Sequence, residues 1–313
     1  MLVVRLALLA VVLFYVVRAL AAGFGAVDWA GFRPSAWWLS AAGAALLASI
    51  AAVCLATVAN IRALSPASPP GAASSSPSLS VLLSAVAVAR LGRYVPGKVL
   101  SVVGVPLLLR PFGYNAVSVT TAVLLNSVLS VFTGLLVAAP LLGLAPHIRP
   151  YVPAGWLWMV LVMAAMVALL HPAVNRPVLG MLFRAIGKPP PSTSMRLRDY
   201  AVPSLWLLVQ WAAMGVGLWC IGRSVDGAFS SSNGWVCAST AALAVTVGFL
   251  ALFAPGGLGV REAIFLAVFT PLLDVERASL LAVGMRVMML VTEVLAAAVG
   301  AVVLRYARKG CGP

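Results

Sequence analysis

Two breaks in otherwise apolar sequence each carry a group of ionisable residues. In RLGRYVPGKV, residues 90–99, Arg90, Arg93 and Lys98 surround Pro96 and Gly97; in APGGLGVRE, residues 254–262, Arg261 and Glu262 follow Pro255, Gly256, Gly257 and Gly259. Proline offers no N–H and glycine weakens helix, so a helix arriving from residue 79 is expected to stop near Tyr94 and a second to start near Gly97 and Lys98. A helix start presents unpaired N–H groups and the positive end of the macrodipole, which attract anions. Lys98 adds a full charge there, and Arg90 and Arg93, three apart, share a face of the preceding helix. Arginine forks and a lysine point charge suit a phosphate.

The second break repeats the logic, with a helix start near Leu258. Glu262 suits that terminus by the dipole rule and Arg261 does not, so Arg261 is there for another reason. Further on, GMRVMMLVTEV places Arg286 and Glu293 seven apart, near one helical face. Ionisable residues inside a membrane mark function by default and pair within the bundle. Arg286 therefore joins the substrate-binding set of Arg90, Arg93, Tyr94, Lys98, Arg261 and Glu262, while Glu262 or Glu293 could carry a coupling proton. Plain pairing of Arg286 with Glu293 or Glu262 is the structural alternative. Snorkelling of the basic residues to the headgroup layer is another. A charge at the bilayer centre costs about 2.5–3.5 kcal/mol on insertion scales, which disfavours three unpaired charges facing lipid at depth but not shallow anchors.

The elements that must position these residues are membrane helices. The chain is 63% hydrophobic and 9% charged, with mean hydropathy +1.08, outside the range of soluble domains. Apolar segments near 5–24, 36–61, 116–140, 153–172, 200–221 and 278–304 reach the length of a span, about 20 residues. Two further stretches, 79–110 and 235–273, are broken by the motifs above. The first segment has Arg5 and the small residues Ala21 and Ala22 of a signal peptide, but its length, Arg18 and the nearby second span favour a retained helix.

Pro96 and Pro255 are 159 positions apart, and that offset carries 36–61 onto 195–220 and 116–140 onto 275–299. Each half thus reads as span, span, broken hairpin, span: a first repeat over about 1–145 and a second over about 150–308. If each broken stretch is re-entrant, three crossings per half invert the second repeat. The expected fold is all-α, a single transmembrane domain of about six spans with two oppositely oriented re-entrant hairpins. Arg62, the basic residues from Arg176 to Arg198, and Arg305, Arg308 and Lys309 place both termini in the cytoplasm.

Several functions are disfavoured. The net charge of +14 follows from positive-inside topology and anionic lipid, and no basic stretch is interleaved with aromatics as nucleic-acid binding would require. Cys54, Cys220, Cys237 and Cys311 have no metal or redox spacing, and His147 and His171 stand alone, so neither metal nor cofactor is expected. No nucleophile set, carboxylate pair or P-loop argues for an enzyme.

RLGRYVPGKV and APGGLGVREA, in this order and in a chain of this hydropathy, resemble the lysylphosphatidylglycerol synthase transmembrane family, the flippase-like integral membrane proteins. Arg93, Tyr94, Pro96, Gly97 and Lys98 match in the first motif, and Pro255, Gly256, Gly257, Gly259, Arg261 and Glu262 in the second. Arg110 and Arg286 also look like family positions, whereas Leu100 stands where many members have Trp. The resemblance implies movement of phospholipids or polyprenyl-linked lipids across a prokaryotic cytoplasmic membrane. The sequence to Pro313 holds no soluble aminoacyl-transferase domain, so lipid synthesis is not expected. A membrane partner of a lipid-modifying glycosyltransferase is the alternative from another class.

Overall fold

The structure, a computed structural model, describes residues 34–64, 78–94, 99–144, 197–251 and 257–310, together with helical positions 157, 160, 161, 164, 165 and 168. The segments expected near 5–24 and 153–172 lie largely outside the described residues, as do Pro96, Gly97, Lys98, Pro255, Gly256, His147, His171 and Cys311.

Among the described residues every regular element is helical. The α-helices are α1 (Ala36–Leu64), α2 (Leu79–Arg90), α3 (Val99–Leu109), α4 (Ala116–Leu144), α5 (Leu197–Val225), α6 (Gly234–Leu250), α7 (Val260–Leu273) and α8 (Val275–Gly310). Short 3₁₀ turns follow α2 at Leu91–Tyr94, follow α3 at Arg110–Phe112 and precede α6 at Ser231–Asn233. Pro106, Pro140, Pro203 and Pro271 sit inside helices. Membrane helices tolerate such residues because neighbouring groups re-satisfy the freed carbonyls.

Among the described residues five helical segments are long and apolar enough to cross a membrane, so the chain is a multi-pass helical membrane protein. Four coincide with the spans expected near 36–61, 116–140, 200–221 and 278–304. The fifth, Ser231–Leu250, occupies the first part of the stretch expected to be a broken hairpin. Its 20 residues cover roughly 30 Å at the helical rise, which is a full bilayer core. The matching α2 has only 12 residues. Large apolar side chains such as Leu205 and Val299 remain exposed on the outer faces, as lipid contact allows.

Among the described residues the helices α1 to α4 and α5 to α8 form two sets in the same order, and their contacts come in matching pairs. The corresponding α1 and α5 make the most extensive contact; α2 packs on α8 as α6 packs on α4, and α3 packs on α4 as α7 packs on α8. Small residues permit these approaches: a Cβ on Gly215 of α5 would lie 2.5 Å from Ala238 Cα on α6, and one on Gly300 of α8 would lie 3.0 Å from the Ser84 carbonyl on α2.

Two hydrophobic cores result. One gathers Ala42, Leu46, Leu141, Trp211, Phe265, Phe269, Met285 and Met289; the other gathers Ile61, Leu82, Ala89, Leu109, Leu125, Leu207 and Leu304. Polar side chains buried between helices bond across them. Trp211 Nε1 donates to Thr133 Oγ1 at 3.0 Å, Ser239 donates to the Val137 carbonyl at 2.8 Å, and Asn60 Nδ2 donates to Asn126 Oδ1 at 3.2 Å. Cys54, Cys220 and Cys237 are buried free thiols.

Candidate functional site

Along α8 the packing changes from the first core, ending at Met289, to the second, which begins with Ala296. Glu293 lies between them and is 3% exposed. A carboxylate buried this deeply needs charged or hydrogen-bonding partners, and the first break supplies them. α2 ends at Arg90, and the 3₁₀ turn after it carries Arg93 and Tyr94.

Arg90 Nη2 lies 3.3 Å from Glu293 Oε1, Arg93 Nη2 is ion-paired with the same oxygen, and the Tyr94 hydroxyl donates to Oε2 at 2.7 Å. The Arg93 guanidinium also lies 5.3 Å from the Tyr94 ring centroid. Arg286, two turns before Glu293 on α8, stands 5.7 Å from that ring. Both distances are within cation–π range.

The second break joins through Glu262 and Arg261. Gly259 caps α7 with φ +84°, a left-handed conformation that glycine adopts without steric cost. Its N–H donates to Glu262 Oε2 at 2.8 Å, in the manner of a capping box. The other oxygen of Glu262 faces Arg286 Nη1 at 3.6 Å, which ties the start of α7 to α8.

Arg261 points elsewhere and is 6% exposed. Its side chain passes between Gly248 of α6 and Gly257, where an added Cβ would come within 2.9 Å and 2.7 Å of it. Its Nε is buried without a hydrogen-bond partner. The charges of Arg93 and Arg286 oppose its own, and that of Glu293 supports it.

The structure therefore brings together Arg90, Arg93, Tyr94, Arg261, Glu262, Arg286 and Glu293 from the two breaks and α8. Arg110 is exposed and opens the 3₁₀ turn after α3. Arg286 pairs with Glu262. Glu293, read from the sequence only as a proton carrier or a partner for Arg286, is the centre of the network. Gly248, the seat of Arg261, was not singled out in the sequence, where one glycine inside an apolar helix carries no distinguishing signal.

Among the described residues of this cluster four guanidiniums face two carboxylates, a surplus of two positive charges. Such a surplus can hold a phosphate or carboxylate through charge-assisted hydrogen bonds. Among the described residues no three His, Cys, Asp or Glu side chains lie together as a metal site. No family model and no curated protein matches this chain.

Proposed function

We propose that this protein is a lipid transporter of the flippase type, moving an anionic phospholipid or a polyprenyl-phosphate-linked lipid across the cytoplasmic membrane of a prokaryote. The observation that carries the reading is the positive surplus shared by the two breaks and α8, with Arg261 buried and Arg90, Arg93 and Arg286 part-buried. An uncompensated positive charge at such depth is costly, and an anionic headgroup would relieve it.

The order of helices and their matching contacts support a repeat of two halves. In this reading the second half is inverted, the breaks belong to re-entrant hairpins, and both termini are cytoplasmic. The headgroup occupies the basic cluster while the acyl or prenyl tails stay in lipid. Rocking of one half against the other exposes the site alternately to each side. Glu262 and Glu293 are the carboxylates available to carry a coupling proton. The resemblance of both motifs to the flippase-like family points in the same direction.

Mass spectrometry of lipid retained by the purified protein tests the reading. The expected result is one anionic lipid enriched over bulk membrane composition and lost in Arg261→Ala. Retained lipid of bulk composition in both proteins contradicts it.

A further inference from the structure

We propose that Glu293 is an internal stand-in for the headgroup phosphate, and that an arriving anionic headgroup takes Arg90 and Arg93 from it. This rests on the transport reading above and adds how Arg90 and Arg93 are held by the protein itself and how cargo takes them over.

The pairing at Glu293 is lopsided. One carboxylate oxygen serves two guanidiniums while the other accepts the Tyr94 hydroxyl. Arg90 Nε and Arg93 Nε are buried without hydrogen-bond partners. Each arginine therefore retains donor capacity that the planar, singly charged carboxylate does not use. A tetrahedral phosphate offers more oxygens in more directions and can engage two arginine forks together.

The placement gives this exchange a consequence. Arg90 ends α2 and Arg93 lies in the 3₁₀ turn after it, both in the first set of helices, and Glu293 belongs to α8 in the second. Their ion pairs tie the sets together beside the first break. A headgroup that takes over the arginines cuts that tie, so cargo occupancy favours motion between the halves. Arg286 remains paired with Glu262 and keeps a positive charge on the α8 side of the site.

The test is calorimetric titration of the full chain in an uncharged detergent with dihexanoyl phosphatidylglycerol, farnesyl phosphate and inorganic phosphate. These probes provide a lipid phosphodiester, a lipid phosphomonoester and the free anion. Removing the competing charge in Glu293→Gln is expected to tighten binding of a lipid probe by about tenfold or more, and adding Arg93→Ala is expected to abolish the gain. Tyr94→Phe keeps every charge but releases the second oxygen of Glu293 to the arginines, and it is expected to weaken binding of a lipid probe. It decides the question if Glu293→Gln does not fold. Lipid binding that Glu293→Gln does not tighten, or that Tyr94→Phe leaves unchanged where Glu293→Gln does not fold, overturns the stand-in role and leaves the transport reading intact. No lipid binding by any of these proteins overturns both, and a gain confined to inorganic phosphate overturns the role for a lipid headgroup.

Discussion

The hydroxyl of Tyr94 donates a 2.7 Å hydrogen bond to Oε2 of Glu293, across 199 positions of sequence. It joins the turn that ends α2 to the middle of α8, where packing passes from one core to the other. A break in a membrane helix must be covered by protein or line a wet cavity, and this contact lies at the edge of that break.

Glu293→Leu leaves Arg90 and Arg93 without their carboxylate. A loss of about 3–5 kcal/mol in stability is expected, as for a buried pair broken from one side. Adding Arg90→Met and Arg93→Met should restore much of the loss. Thermal unfolding in detergent measures both effects; an unchanged melting temperature in Glu293→Leu would show that the arginines do not depend on it.

Gly248→Ala places a methyl group 2.9 Å from Cγ and Nε of Arg261. Overpacking of this kind costs about 1–3 kcal/mol. The penalty should fall sharply in an Arg261→Ala background, because the clash is with that side chain. Equal penalties in both backgrounds would mean that Gly248 is needed for the path of α6 and not as the seat of Arg261.

Asn60→Leu removes the donor to Asn126 in the contact between α1 and α4. A double-mutant cycle with Asn126→Leu should return a coupling of about 0.6 kcal/mol, the average found for polar pairs between membrane helices. Zero coupling would reduce the pair to neighbours.

Orientation can be read with a membrane-impermeant maleimide. Cys54, Cys220 and Cys237 are buried, so Cys311→Ser provides a background for Ser75→Cys and Ser192→Cys. Both new thiols should react from the cytoplasmic side. Labelling of both from outside would reverse the assigned topology.

The helices were largely legible because their signal is local. Spans expected at 36–61 and 116–140 appear as Ala36–Leu64 and Ala116–Leu144, and the helix from residue 79 gives way after Arg90 to a 3₁₀ turn over Leu91–Tyr94, near the expected stop. The length of the helix before the second break was less so, since the glycine- and proline-rich motif marks only where that stretch is interrupted. Ser231–Leu250 is span-length by itself. Proline was a weaker guide than glycine clusters, as Pro203 inside α5 shows.

The candidate site was legible in membership but not in wiring. Arg286 and Glu293 share a helical face, yet seven residues of rise separate them by about 10 Å, too far for direct pairing. Each therefore turns to a different break, Arg286 to Glu262 and Glu293 to Arg90, Arg93 and Tyr94. Partners some 200 positions apart are fixed by helix packing, which no local pattern encodes.

Translocation of a headgroup-labelled anionic lipid in proteoliposomes tests the central claim most directly, with the wild-type chain compared against Arg261→Ala and Lys98→Ala. The account predicts protein-dependent movement of the label across the bilayer, lost in Arg261→Ala and reduced in Lys98→Ala at equal reconstitution. Wild-type rates in both variants, or no movement above protein-free vesicles, would contradict it.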